Sequence, residues 1–230
     1  MKQSTTRFTS WELVASLGRP VKTSRSYDAS GRQADARARR EAVLDVARAL
    51  FLANGFGGTT VAEIATAGGV SAETVYKSFG GKTGLVRALH KDALRGAGPV
   101  PAEDTSDNLR RGTDPHEVVR GWARLATEVA PRVVPILRLV RDAAAVDPTM
   151  RTVYHEMDES RLRRMTENAQ YLHDAGHLRA DVTLADAADL MWSVSSPEMF
   201  ELFVVRRGWS LDHYADFVYN TLANGLLPAC

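Results

Sequence analysis

Between Thr60 and Lys82 the sequence gathers side chains suited to a polyanion: Thr60, Ser71, Thr74, Tyr76, Lys77, Ser78 and Lys82. Hydroxyls, a phenol and ammonium groups hydrogen-bond to phosphate oxygens and base edges. Their spacing matters as much as their type. Thr60 and Glu63 have capping-box spacing, which opens a short helix that ends at Gly68-Gly69. Ser71 can cap a second helix over Ala72 to Phe79, and Gly80-Gly81 ends it. Two short helices joined by a tight turn containing glycine make a helix-turn-helix. Val61, Ile64 and Ala65 can pack on Val70 and Val75, which leaves Thr74, Lys77 and Ser78 on a free face with Tyr76 beside them.

Other groupings are poorer candidates for chemistry. Gly81-Lys82-Thr83 ends like a phosphate-binding loop, but the first glycine of that motif falls on Tyr76 and no strand precedes it. His155 and Glu159 stand at i, i+4, as do His173 and His177 across Gly176, and two ligands are too few for a metal centre. No G-x-S-x-G or H-E-x-x-H sequence occurs, and the one cysteine, Cys230, is the last residue. No metal, no cofactor and no catalytic residue are expected.

The elements that must hold the free face are helical. From Arg37 to Asn54, Val43, Val46, Ala47, Leu50 and Phe51 fall on one helical face, with Gly55 as C-cap. Arg37, Arg39 and Arg40 crowd the first turn, where the helix dipole disfavours cations, and so ask for a nearby anion. Lys82 opens a further helix, to about Arg95. Leu50 and Phe51 complete a small core with the two shorter helices.

The stretch from Arg39 to Leu89 resembles the DNA-binding domain of the tetracycline-repressor (TetR) family. The resemblance rests on Ala49-Leu50-Phe51, Gly55-Phe56, Thr59-Thr60-Val61, Ile64-Ala65, Gly69-Val70-Ser71, Thr74-Val75-Tyr76, Phe79 and Lys82, in order. Gly176 to Asp181 and Arg207 to Ser210 extend it more loosely. Two departures stand out. Gly81 and Gly84 replace longer residues, which should loosen the start of the following helix by roughly 1 kcal/mol each. Glu73 would repel phosphate or accept from a cytosine amino group. DNA contacts are expected from Arg37, Thr60, Ser71, Thr74, Tyr76, Lys77 and Lys82.

The charge distribution agrees with a DNA-binding first part. The 230 residues carry a net +1, but residues 1–95 hold a net +7 and residues 96–230 a net −6. A basic part joined to an acidic part suggests a polyanionic partner for the first; chance clustering is the other reading. Residues 1–34 read as a basic, mostly flexible extension, either a solvated tail or an arm that reaches DNA. One short helix, capped at Thr9 and ended at Gly18, is expected within it. Residues 35–95 read as the DNA-binding domain, with the helix-turn-helix at about 60–79. The lone cysteine, the absence of an apolar membrane-length run and an N-terminus unlike a signal peptide point to the cytoplasm.

Residues 96–230 read as a second helical domain, so the expected fold is all-α. A linker is expected from Gly96 to Pro115. A fifth helix follows with Val118, Trp122, Leu125 and Val129, and a sixth starts at Pro131 with Ile136, Leu137, Val140 and Ala144. A seventh runs from Pro148 to about Asp174. An eighth, from about Leu184, is kinked by Pro197, and Ser210 caps the last. On the seventh helix, Met150, Val153, Tyr154, Met157, Arg161, Met165, Asn168 and Leu172 share one face. Polar residues on an apolar face suit a ligand cavity or a satisfied core. As candidate cavity walls we take Trp122, Tyr154, Met157, Arg161, Met165 and Trp192.

The eighth helix is apolar nearly all round, so it either completes the protomer core or dimerises. The resemblance implies a homodimer built on the last two helices, through Met199, Phe203, Leu211, Tyr214, Val218 and Leu222. The expected function is a DNA-binding transcriptional regulator, a repressor released from double-stranded operator DNA by a small-molecule effector. A helical enzyme with a structural helix-turn-helix and a regulator without effector are the alternatives.

Overall fold

The computed structural model describes residues 29–95, 98 and 100–228. The expected helix near Thr9 and the terminal Cys230 lie outside them. Residues Met1–Arg37 and Ala38–Cys230 form separate compact units.

Every regular element among the described residues is helical. The first four are α1 (Ala29–Asn54), α2 (Val61–Ala67), α3 (Ala72–Phe79) and α4 (Lys82–Leu94). Then come α5 (Ala102–Leu109), α6 (Pro115–Ala144), α7 (Pro148–Asp174) and α8 (Leu184–Val194). The short α9 (Pro197–Phe200) passes into a π-helical turn, Glu201–Arg206, before α10 (Leu211–Leu226). Polar caps set most starts. Asp114 accepts from the His116 N–H, and Asp147 from those of Thr149 and Met150, each with a proline at the first turn. Thr183 and Ser210 do the same for α8 and α10.

Four expectations about elements need correction. The first helix begins at Ala29, eight residues before Arg37, because nothing in the polar stretch ahead breaks a helix. The segment taken for a linker contains α5, whose Trp122-facing side buries Ser106. The expected fifth and sixth helices are one, α6, which runs unbroken through Pro131 and Pro135. Each interior proline costs about 3 kcal/mol. Burying Val129, Val133, Val134 and Ile136 in the same stretch returns roughly 1.5–3 kcal/mol per side chain, and the helix survives. The expected kinked eighth helix is instead interrupted: Ser196 accepts from the Met199 N–H and starts α9 afresh, with Pro197 at its first position.

Two large cores result. One joins Val118, Trp122, Leu172, Met191, Tyr214, Val218 and Leu226, from α6, α7, α8 and α10. The other joins Phe51, Ile64, Val75, Leu85 and Leu89, from α1 to α4, to Ile136, Val140, Met150, Val153 and Met157 of α6 and α7. The helix-turn-helix therefore shares its apolar core with the two longest helices.

Candidate functional site

Two places in the molecule gather the functional candidates: the exposed face of α3 and a cavity among α4 to α10.

At the first, local sequence fixes the geometry tightly. Both halves of the α2 capping box form: the Glu63 N–H donates to Thr60 Oγ1 at 3.2 Å and the Thr60 N–H to Glu63 Oε2 at 2.7 Å. These bonds from the Thr60 backbone and hydroxyl hold the Glu63 carboxyl below its ordinary range. Ser71 caps α3, accepting from the Thr74 N–H at 3.1 Å. Val75 is fully buried, so α3 has one anchored side. Thr74, Tyr76, Lys77 and Ser78 are exposed, as expected. Tyr76 is 57% exposed, a large exposure for an aromatic ring. Gly80 (φ 77°) and Gly81 (φ 101°) then turn the chain into α4 through backbone that other residues rarely adopt.

The remaining DNA candidates are placed less freely. The Lys82 ammonium lies 4.3 Å from the centre of the Phe56 ring, half-buried. Arg40 donates to the Ser78 carbonyl at 3.0 Å with its guanidinium over Phe79. Arg37 is exposed and is the last residue of the first compact unit. Gly84 does not loosen α4. A Cβ there would stand 1.5 Å from the Phe79 carbonyl oxygen, so its absence lets α3 and α4 approach.

The second place is a cavity of about 390 Å³, within the range of small-molecule sites. Trp122, Tyr154, Met157, Arg161 and Met165 all line it. Trp192 does not: its ring lies beneath the Arg161 guanidinium at 4.6 Å, and its carbonyl accepts from Arg161. Arg161 also holds Asp158 at 3.1 Å, and burial lowers its pKa against these partners. The walls include Leu125, Val129, Val134 and Leu137 of α6, Met191 of α8 and Phe200 of α9.

Sequence reasoning missed several wall residues. His90 and Leu94 bring α4 to the cavity, and burial pushes the His90 imidazole down to about 4. Val86, His90 and Leu94 are one turn apart, and that stripe was the available signal.

Three of the expected dimer residues on α10 need a correction. Tyr214, Val218 and Leu222 are 2%, 1% and 4% exposed in the single chain. They line the cavity, and the Tyr214 hydroxyl donates to the Val194 carbonyl. Side chains spent on their own protomer are not free to form an interface. Met199 and Phe203 are half-buried and Leu211 is 42% exposed; Leu202 and Val205, 44% and 56% exposed, extend the apolar surface. Among the described residues no three metal-ligating side chains come together, and no helix is long and apolar enough to cross a membrane.

Residues 43–89 match the model of the bacterial regulatory proteins of the tetR family. No curated protein matches the chain. Solved structures do. NalD of Pseudomonas aeruginosa, the secondary repressor of the MexAB-OprM multidrug efflux pump, is 21% identical, with a TM-score of 0.65 over 86% of this chain and all of that one. SmeT in complex with triclosan is 18% identical, with a TM-score of 0.65 over 83% and 92% of the two chains. The TetR-family regulator PfmR of Thermus thermophilus is 19% identical, with a TM-score of 0.59 over 81% and 99%.

Proposed function

The chain carries a TetR-family DNA-binding domain on a TetR-type all-helical fold, and from that premise we propose a transcriptional regulator released from its operator by a small-molecule effector. Two copies place their α3 helices in successive major grooves, about 34–36 Å apart. Thr74 and Tyr76 position each helix, with Ser71 and Thr60 at the helix starts, and Lys77 meets phosphate. Lys82 flanks that surface after leaving Phe56, and Arg37 is a further phosphate contact. The copies associate through the apolar surface of Leu202, Val205 and Leu211.

The observation that carries the effector reading is that α4, which follows the α3 helix directly, lines the cavity through His90 and Leu94. A ligand there touches the helix that orients α3. The Arg87 guanidinium grips Glu156 of α7 with bonds of 2.8–3.0 Å, so α4 is also tied to a helix forming another wall. A ligand that prefers one arrangement of α4 shifts the population towards it, and its differential affinity sets how far DNA binding falls.

The test begins with whatever small molecule purifies with the protein. Extracted, identified by mass spectrometry and added back to the complex of protein and duplex, it should release the DNA. Retention of the duplex at saturating ligand would sink the effector reading and leave a regulator that responds to something else or to nothing.

A further inference from the structure

The proposed effector site has a chemical character of its own. Four arginines line the cavity with their charge already engaged. Arg161 holds Asp158 and the Trp192 carbonyl. Arg164 holds Asp107 at 2.5 Å and Glu167 at 3.3 Å. Arg141 holds Glu198 and Glu201, both at 3.4 Å, and Arg138 reaches Glu201 at 3.7 Å. Arg163 and Glu103, the other charged wall residues outside these pairs, are both exposed and of opposite sign. An anionic ligand that breaks no internal pair finds only the exposed Arg163, and a cationic one only the exposed Glu103.

The buried polar groups that remain free are neutral. Asn168 is 3% exposed. Its Oδ1 accepts from Ser106 at 3.5 Å, and its amide nitrogen has no hydrogen-bond partner among the described residues. His90 has none either, and at neutral pH its imidazole offers one donor and one acceptor. Both groups line the cavity, Asn168 from α7 beside Ser106 of α5 and His90 from α4. Ser106 is one turn along α5 from Ala102, whose N–H donates to the Arg95 carbonyl at the end of α4, while Leu94 and Ala102 share one small core. Two other polar wall groups are spent within the protein: the Tyr214 hydroxyl donates to the Val194 carbonyl, and the Ser195 hydroxyl to the Met191 carbonyl. Beside them lie Val134, Met191, Phe200, Val218 and Leu222.

We propose that the cavity takes an uncharged amphiphile, with a hydroxyl, carbonyl or amide head at Asn168 and His90 and an apolar body along α6, α8 and α10. The assignment of ligand class rests on the reading of this cavity as the effector site, but binding can be measured without DNA, so the two fail separately.

The experiment compares three probes sharing one apolar body, decan-1-ol, decanoate and decylammonium, by isothermal titration calorimetry of the full chain at pH 7. The alcohol should bind at least about tenfold more tightly than either ion. Asn168→Leu and His90→Phe should each weaken the alcohol several-fold and narrow its advantage. Tighter binding of decanoate or decylammonium, equal binding of all three, or no binding of the alcohol would each overturn the proposal. If Asn168→Leu fails to fold, the His90→Phe variant and the probe series on the unaltered protein still decide it.

Discussion

His90 combines a place in the cavity wall with a stability cost. Burial holds its imidazole neutral, with a pKa of about 4 against 6.5 in an unfolded chain. The unfolded chain therefore takes up a proton first as the pH falls. The stability linked to His90 is fully present above pH 6.5 and is lost progressively towards pH 4, by up to about 3 kcal/mol. Urea unfolding at pH 7 and pH 4.5 should show a larger loss in the unaltered protein than in His90→Phe; equal losses would mean that the imidazole is solvated in the folded state. Arg161 makes a different point. Its type and place on an apolar face marked it in the sequence, and it does line the cavity. Its charge, however, is spent on Asp158 and Trp192. Periodicity shows which face a residue occupies and is silent on which partner satisfies it. Trp192 was misplaced for the same reason: its spacing gave the helix face, and the cation stacked above it could not be read from one helix.

Among the elements, those with local signals were legible and those overridden by packing were not. The caps Thr60, Ser71, Asp147 and Ser210 act within four residues of their partners, so α2, α3, α7 and α10 start where their sequences say. The continuity of α6 through Pro131 and Pro135 depends on burial supplied by other helices, which no local pattern carries. Gly84 is a sharper case. Helix propensity alone makes it a weak point, worth roughly 1 kcal/mol, and predicts that Gly84→Ala stabilises α4. The close approach of the Phe79 carbonyl predicts the opposite. Alanine there must push α3 from α4, so Gly84→Ala should lower the unfolding midpoint and weaken DNA binding at least about tenfold, since overpacking costs roughly 1–3 kcal/mol. Thermal unfolding with a duplex titration checks both; a more stable variant with unchanged affinity would restore the propensity argument.

At the scale of the molecule, the sequence suggested a basic reading head and an acidic helical body, and the structure adds that they share a core. Phe51, Ile64 and Leu89 pack in one cluster with Ile136, Met150 and Met157. A rearrangement of α6 or α7 therefore cannot leave α4 indifferent, because packed cores move between discrete arrangements rather than deform freely. Of the dimer residues expected on α10, Tyr214, Val218 and Leu222 are buried within the protomer while Leu211 is exposed. A helix apolar on several faces has to be buried on several faces, but composition cannot say which burial is internal. Here the internal cavity claims Tyr214, Val218 and Leu222.

The central claim is that two copies read a symmetric DNA site through α3, and selection from a random duplex pool tests it most directly. The chain should enrich a two-fold symmetric sequence with half-site centres about 10 base pairs apart. Its affinity for that duplex should fall steeply with salt on a log–log plot, with a slope about one unit shallower for Lys77→Ala. Failure to enrich any sequence, together with a flat salt dependence, would contradict the account and leave the helix-turn-helix as a purely structural feature.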